Sequence, residues 1–587
     1  MDYRELVELY ESLSKTNKRL EKTFLIANFI KKISEKEFDL LPIAVMLIQG
    51  KVFPDFSQKK IGIADKLVIK AISKASLMQE QKIIEKLKEL GDLGDVGYYL
   101  LNKKKQASLF PRKLTIKEVY DAIKNLSEYE GKGSIENKIT IISELLINAE
   151  PIEAKYIIRT LLDNLRLGFG KSTIRDSLIW AFFSEKLNLN YNIEENELEA
   201  NPEYRKLIDK IQFAYDILND YGEISLMLAK NHSLDNIQIQ PGKPINLMLF
   251  YKASNINEAF CVLGKPLAFE YKYDGFRLQI HKNQNEIKLY TRNLEDVSEQ
   301  FPEIIKYLEK IKVEKIILDS EAIAYDKKTL KNIPFQQISQ RIKRKYNILE
   351  MAEKFPVEIK VFDILFFEDK TLINEPFEDR RKLLEKIIPQ EEHTITLAEQ
   401  IITSDEKEAE IFYKKALSLG FEGIMAKNLK SFYKPGRKIG TGVKIKPIME
   451  PLDLVITAAE YGEGKRSGFL STFYIACIDE NNNFLEIGKV STGLKELEEQ
   501  GFSFKELTKL LEPLIIKKQG KYVKLKPEIV IEVGYEEIQK SPTYESGYAL
   551  RFPRFIRLRQ DKNIDEISDL NYIENLYQTQ KGRETKN

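Results

Sequence analysis

The sequence predicts a multidomain fold with three architectures in series: an all-α segment, an α+β segment and a small β-barrel. Three observations predict it. The chain has 587 residues, too many for one hydrophobic core. Apolar residues recur at helical spacing up to about residue 235, and in short alternating or continuous runs beyond it. Between the two textures lies "QIQPGKPI" (238–245), where Pro241, Gly242 and Pro244 break any regular element and predict a linker.

The first segment, 1–237, reads as helices. Leu6, Leu9, Tyr10 and Leu13 fall at i, i+3, i+4 and i+7, and Leu207, Ile208, Ile211, Tyr215 and Leu218 form another stripe. Stretches such as "GDLGDVG" (91–97) mark short connections. In the second segment, 238–450, "PLAFEYKY", "EIKLYTR", "KIILDSEAIAY" and "EIKVFDILFF" read as strands, with helical stretches such as "FEDRRKLLEKI" (377–387) between them. The third, 451–587, carries "DLVITAAEYGEG", "FYIACIDE", "FLEIGKVSTG" and "IVIEVGYEEI". These suit a β-barrel of the kind that binds nucleic acid, with a helix at 504–515 inserted.

Composition narrows the class. A 43% hydrophobic share supports globular cores, and a net charge of +2 carries no sign of a polyanionic partner. Cys261 and Cys477 support neither a disulfide framework nor a thiolate zinc site, and His232, His281 and His393 fit no metal-ligand spacing. The N-terminus "MDYRELVELY" is unlike a signal peptide, and the apolar run "LIWAFF" (178–183) is too short to span a bilayer. These features predict an intracellular, cytoplasmic protein with no membrane partner.

"FEYKYDGFRLQIH" (269–281) is the stretch that reads as chemistry. Lys272 lies between two tyrosines and is followed by Asp274, Gly275 and Arg277. An amine attacks only when neutral, and an ordinary lysine, with a pKa of roughly 10.4, is about one part in a thousand neutral near pH 7.4. Burial or neighbouring cations depress that value. "KPGRKIGTGVKIKP" (434–447) supplies Arg437, Lys444 and Lys446, the two lysines on one strand face, suited to hold a polyphosphate beside Lys272. Read alone, these are equally solvent-facing lysines. "LDSEAIAYD" (318–326) places Glu321 at a strand end, where a bonded carboxylate could grip a sugar hydroxyl or a metal. "KVFDILFF" (360–367) offers Phe362 for stacking on a base, and "GFEGIMAKN" (420–428) brings Glu422, Gly423 and Lys427.

Two further stretches stand out, and one decoy. "YALRFPRFIRLRQDK" (548–562) interleaves Arg551, Arg554, Arg557, Arg559 and Lys562 with apolar residues, a pattern fit for phosphate or nucleic-acid contact, or for a basic surface strand. "KKKQASLFPRK" (103–113) presents Gln106, Leu109 and Phe110 in a basic loop. "GFGKST" (168–173) has Leu165 where a phosphate-binding P-loop needs glycine, and reads as a helix-connecting turn.

In this order and spacing, "KYDGFR", "TRN" (291–293), "DSE", "VFDIL", "EGIMAK", "VKIKP" and "RFPRFIRLRQDK" resemble the motif set of ATP-dependent DNA ligases, members of the covalent nucleotidyltransferases. "IQGKVFPDFSQKKIGIADKL" (48–67), "YIIRTLLDNLRLGFGKSTIRDSL" (156–178) and "SPTYESGYALRFPR" (541–554) resemble the replicative type of archaea and eukaryotes. The resemblance covers nearly the whole chain. It implies a helical DNA-binding domain, an adenylation domain and an OB-fold domain.

The resemblance also implies roles. Lys272 would bond covalently to AMP, and Glu270 would meet the adenine amine. Arg277 and Arg292 would meet ribose and phosphate. Glu321 would bind the ribose hydroxyl and, with Glu422, lie near a metal. Phe362 would stack on adenine, and Arg437, Lys444 and Lys446 would hold the triphosphate. Arg551, Arg554, Arg557, Arg559 and Lys562 would meet pyrophosphate or DNA. The implied cofactors are ATP and Mg2+ or Mn2+, and the implied partner of a monomeric enzyme is nicked double-stranded DNA. Gln106, Leu109 and Phe110 resemble a peptide that binds a sliding clamp. The sequence departs from the family at Gly442, where a Trp is common, and at Asn246-Leu247, where Arg-Pro is common. An RNA-joining or capping enzyme and a non-catalytic DNA-encircling protein are the alternatives.

Overall fold

A computed structural model describes residues 1–580 apart from 104–112, 132, 200, 334–337, 339, 340, 343–345, 437, 448, 463–465 and 467, with backbone alone at 236 and 438–440. Gln106, Leu109, Phe110 and Arg437 therefore lie outside the described residues. The chain folds as two compact units stitched from separate stretches. The first takes Met1–Leu249, Gly275–Leu397 and Phe432–Lys438; the second takes Phe250–Asp274, Ala398–Ser431 and Ile439–Asn587.

The first unit begins with helices. Tyr3–Ser14 buries Leu6, Leu9, Tyr10 and Leu13, the predicted stripe. The Tyr10 ring lies 4.8 Å from Tyr156 and its hydroxyl donates to the Leu47 carbonyl at 2.7 Å. Helix starts follow local chemistry: Thr115 and Glu118 form a reciprocal capping box, and Asn201 caps a helix that opens on Pro202. Gly91, Asn188 and Asn219 end helices in the left-handed conformation. A hairpin, Asn190–Asn192 with Glu197–Glu199, interrupts the helices and was not expected.

The predicted linker is an ordered strap. The Gly242 N–H donates to His281 Nδ1 at 3.0 Å, and the Gly242 carbonyl accepts from the Tyr290 hydroxyl at 2.7 Å. The Ile245 N–H donates to Gln279 Oε1 at 2.8 Å, while Ile239 and Ile245 are buried. Burial pushes His281 down to about 3, so the ring is neutral and its Nδ1 accepts. Proline and glycine forbid a helix here, yet side chains of the neighbouring sheet satisfy the strap's backbone.

That sheet is antiparallel along its main path: Lys370–Thr371, Val357–Phe367, Lys315–Tyr325, Phe276–Asn283 and Glu286–Thr291. Leu278, Ile280, Leu318, Ala322, Ile359 and Val361 form its apolar face, packed on the helices Pro302–Glu309 and Phe377–Ile387. The alternate residues, Arg277, Asp319 and Glu321, share the opposite face.

The second unit holds a five-stranded sheet ordered Gln400–Thr403, Leu267–Lys272, Gly423–Asn428, Lys438–Ile445 and Leu249–Ala253. It also holds the C-terminal β-rich part. There, Phe484–Val490, Leu470–Ile478, Leu452–Tyr461, Tyr522–Leu525 and Ile515–Gln519 follow one another, and Val530–Gly534 joins Leu452–Tyr461 to Arg554–Leu558. Among the described residues this sheet is open, with no pairing between its outer strands. Leu454, Ile456, Phe473, Ile475 and Leu507 lie in its core. The inserted helix is Phe504–Leu511, shorter than expected, because Pro513 lacks the N–H a further turn needs. Among the described residues no helix is long and apolar enough to cross a membrane.

Candidate active site

The second unit's five-stranded sheet carries a dense set of charges on one face. Its register pairs Gly423 with Lys272, Met425 with Glu270 and Lys444, and Lys427 with Gly442. Directly opposed residues share a face, so Glu270, Lys272, Lys427 and Lys444 stand on the same side. Tyr271 and Tyr273 point the other way. Tyr271 stacks on Phe412 with centroids 4.4 Å apart, and Tyr273 meets Phe421 edge-on at 4.8 Å. The two tyrosines anchor the strand end in an aromatic cluster and aim Lys272 at the polar face.

Two glycines make this possible. Gly423, opposite Lys272, has φ +144°, and a Cβ there would stand 2.1 Å from the Ile445 carbonyl oxygen. Gly275, in the turn after Lys272, would place a Cβ 2.2 Å from the Ala322 carbonyl oxygen.

Lys272 Nζ lies 2.9 Å from Glu422 Oε2, and Lys446 Nζ lies 2.6 Å from the same oxygen. Burial pushes the Glu422 carboxyl up, but the charges of Lys272 and Lys446 more than offset it and hold it well below the usual carboxylate range. Lys444 is pulled below the ordinary lysine value, first by burial and then by Lys446, with Lys272 contributing. Glu270, almost fully buried, is bridged by Lys427 Nζ at 2.6 Å and accepts from Gln400 Nε2 at 2.8 Å. A cavity of about 40 Å³ beside Glu422 and Lys446 is lined also by Glu536, Glu537 and Arg551. Lys446 reaches Glu536 at 3.3 Å, and Arg551 reaches Glu537 at 3.1 Å.

The remaining basic residues of the C-terminal motif lie elsewhere. Arg557 pairs with Glu532, Arg559 with Asp453 and Asp561, and Lys562 with Asp453, while Arg554 is exposed. These pairs hold Arg557, Arg559 and Lys562 against acids of their own β-rich part.

The first unit carries its own predicted residues. Arg277 Nε donates to Asp319 Oδ1 at 2.8 Å, Nη2 donates to Asp319 Oδ2 at 2.5 Å, and Nη1 donates to the Met248 carbonyl at 2.8 Å. Asp319 is fully buried and also accepts from the Tyr433 hydroxyl at 2.9 Å. Glu321 lies directly opposite Arg277 in the register. Phe362 is the extra residue of a β-bulge, between the pairs Asp319–Asp363 and Ser320–Val361. Its ring stands 5.4 Å from the Arg277 guanidinium. Arg292 is exposed in the turn after Glu286–Thr291. Where Arg-Pro is common, Asn246 donates instead to Asp216 Oδ1 at 3.2 Å and Leu247 is buried.

Sequence reasoning missed Asp319, Tyr433, Gln400 and Glu536 as partners. Asp319 was legible as a carboxylate two residues before Glu321, hence on the same strand face. Tyr433, Gln400 and Glu536 come from distant stretches and left no local signal.

This sheet with an amine at its strand end has close relatives. A DNA ligase of Nanoarchaeum equitans is 44% identical over 589 residues, covering 99% of each chain. The chain belongs to the ATP-dependent DNA ligase family. DNA ligases of Thermococcus fumicolans and Methanocaldococcus jannaschii are 40% and 38% identical, covering 98% and 99% of this chain and 98% and 100% of their own. The ATP dependent DNA ligase domain matches residues 247–446, the DNA ligase N terminus 2–179, and the ATP dependent DNA ligase C terminal region 466–562. The solved structure of Pmar-Lig_PreS3 shares the fold at TM-score 0.54 and 16% identity, over 94% of this chain and 99% of its own.

As a ligase of this family, the protein is a phosphodiester-bond-forming enzyme. The family's reaction uses ATP and a divalent metal and passes through AMP carried on a lysine. Among the described residues no cluster of three or more His, Cys, Asp or Glu side chains gathers into a metal cage. The Glu422 carboxylate fits a metal of the kind that takes one or two protein oxygens and draws its other ligands from water and substrate phosphate.

Proposed function

We propose that the protein seals nicks in duplex DNA through AMP carried on Lys272. One observation supports this above the others: the Lys272 amine stands on a sheet face with Lys444, 2.9 Å from a carboxylate that also binds Lys446. Lys272 Nζ, as the neutral amine, attacks the α-phosphorus of ATP; a P–N bond forms, the P–O bond to pyrophosphate breaks, and the nitrogen releases a proton to solvent. A 5′-phosphate oxygen at the nick then attacks the AMP phosphorus, and the amine is regained. Attack by the 3′-hydroxyl on that 5′-phosphate expels AMP and closes the strand.

Lys444, Lys446 and Arg437 serve the triphosphate. Glu270, Arg277, Arg292, Glu321 and Phe362 serve the adenosine and phosphate, and Arg551 with its neighbours serves pyrophosphate or DNA. Glu321 and Glu422 would each serve a divalent metal, Mg2+ or Mn2+, whose charge would neutralise the phosphates when bound. The segments 1–237, 238–450 and 451–587 act as DNA-binding, adenylation and OB-fold domains, a division supported by the spans of the three matching family models. The enzyme acts as a cytoplasmic monomer, and Gln106, Leu109 and Phe110 engage a sliding clamp.

The test uses α-labelled ATP with Mg2+, followed by nicked DNA. A labelled protein band that nicked DNA discharges into sealed product is expected, and Lys272→Ala should abolish both band and product. Label in the Lys272→Ala protein would refute the assignment of the nucleophile. Discharge by RNA ends in place of nicked DNA would refute the substrate.

A further inference from the structure

Phe250 lies on Leu249–Ala253, the edge strand beside Lys438–Ile445, and its ring is half-buried. A Cβ built on Gly442 would stand 2.3 Å from Phe250 Cε1, 2.6 Å from Cδ1 and 3.0 Å from Cζ. The ring therefore fills the space a side chain at 442 would enter. Gly442 opposes Lys427, and Lys427 bridges Glu270 on the face that also holds Lys272 and Lys444. So the Phe250 ring covers the same polar face, at the end nearer the buried Glu270–Lys427 pair. The volume beside Gly442 is filled by a ring from the next strand.

A core phenylalanine is normally enclosed by apolar neighbours. This one stays half-accessible on a face that carries Glu270, Lys272, Lys427 and Lys444 beside the apolar Met425. An aromatic plane beside paired charges is the chemistry that receives a flat heteroaromatic base while the charges address its polar edge. We infer that Phe250 is a wall of the nucleotide subsite and contacts the purine ring of ATP, a role that rests on the adenylation reading above.

The experiment measures lysyl-AMP formation by the full-length protein across ATP concentrations, with melting temperature followed in parallel. Phe250→Ala should raise KM for ATP about fivefold, the loss expected from one aromatic contact, while the rate at saturating ATP falls less than KM rises. Adding Gly442→Trp to Phe250→Ala should bring KM most of the way back, because the indole re-enters the vacated space. Gly442→Trp with Phe250 kept should lower the melting temperature, as two rings compete for one volume. An unchanged KM in Phe250→Ala, a fall in saturating rate without a rise in KM, or a double variant no better than the single would overturn the inference. If the unaltered protein formed no lysyl-AMP, the adenylation reading would fail and this role with it.

Discussion

Replacing Lys427 with methionine probes the most deeply buried charge pair of the candidate site. Lys427 Nζ lies 2.6 Å from Glu270 Oε2, with side-chain exposures of 5% and 2%. Methionine keeps the length and apolar stem of lysine and removes the ammonium. The Glu270 carboxylate then stays in the middle of the sheet without its cation. Breaking a buried pair from one side costs about 3–5 kcal/mol, because the desolvation of the remaining charge is no longer offset. The hydrogen bond from Gln400, at 2.8 Å, recovers part of that and places the expectation near the lower end, about 3 kcal/mol. Guanidinium unfolding followed by circular dichroism reads the loss. Pairing Lys427→Met with Glu270→Gln removes both charges and should restore most of the stability, yet leave lysyl-AMP formation impaired, since Glu270 is assigned to the adenine amine. A loss below about 1 kcal/mol, or a double variant no more stable than the single, would refute the reasoning.

Two other outcomes follow from the geometry. Asp55 is held by Lys171 at 2.5 Å, by Lys51 and by the Tyr215 hydroxyl; burial pushes its carboxyl up, but these hydrogen bonds outweigh it and bring it down to about 2. A depressed carboxyl stabilises the fold above its unfolded pKa near 3.9, and that share is lost as pH falls from about 4 to 2. Asp55→Asn should therefore cost about 2 kcal/mol at pH 7 and almost nothing near pH 2, in denaturation series at several pH values; an equal cost at every pH would count against it. Gly423→Ala should cost at least about 2 kcal/mol and sharply slow self-adenylation, because its Cβ would force Ile445 away from the strand end at Lys272; a variant of normal melting temperature and labelling rate would contradict the close approach.

Much of the site was legible in the sequence because strand periodicity is local. Spacing by two placed Lys444 and Lys446 on one strand face, and the structure shows the same rule joining Glu270 to Lys272. The motif order carried the family, and the structure sets Thr115 and Asn201 at helix starts, where their residue types are favoured. The strap at 238–245 misled because proline and glycine report what a stretch cannot form, not whether distant side chains such as Gln279 and His281 bind it.

The sequence by itself determined which residue types alternate along each strand, and so which of them could share a face. Only the tertiary structure decided who meets whom: Glu422 between Lys272 and Lys446, Asp319 across the Arg277 fork, Phe250 over Gly442. Side-chain alternation is fixed by the backbone of one strand. Register and packing are fixed by competition among segments far apart in the chain, where a slip of one residue would turn every side chain to the opposite face.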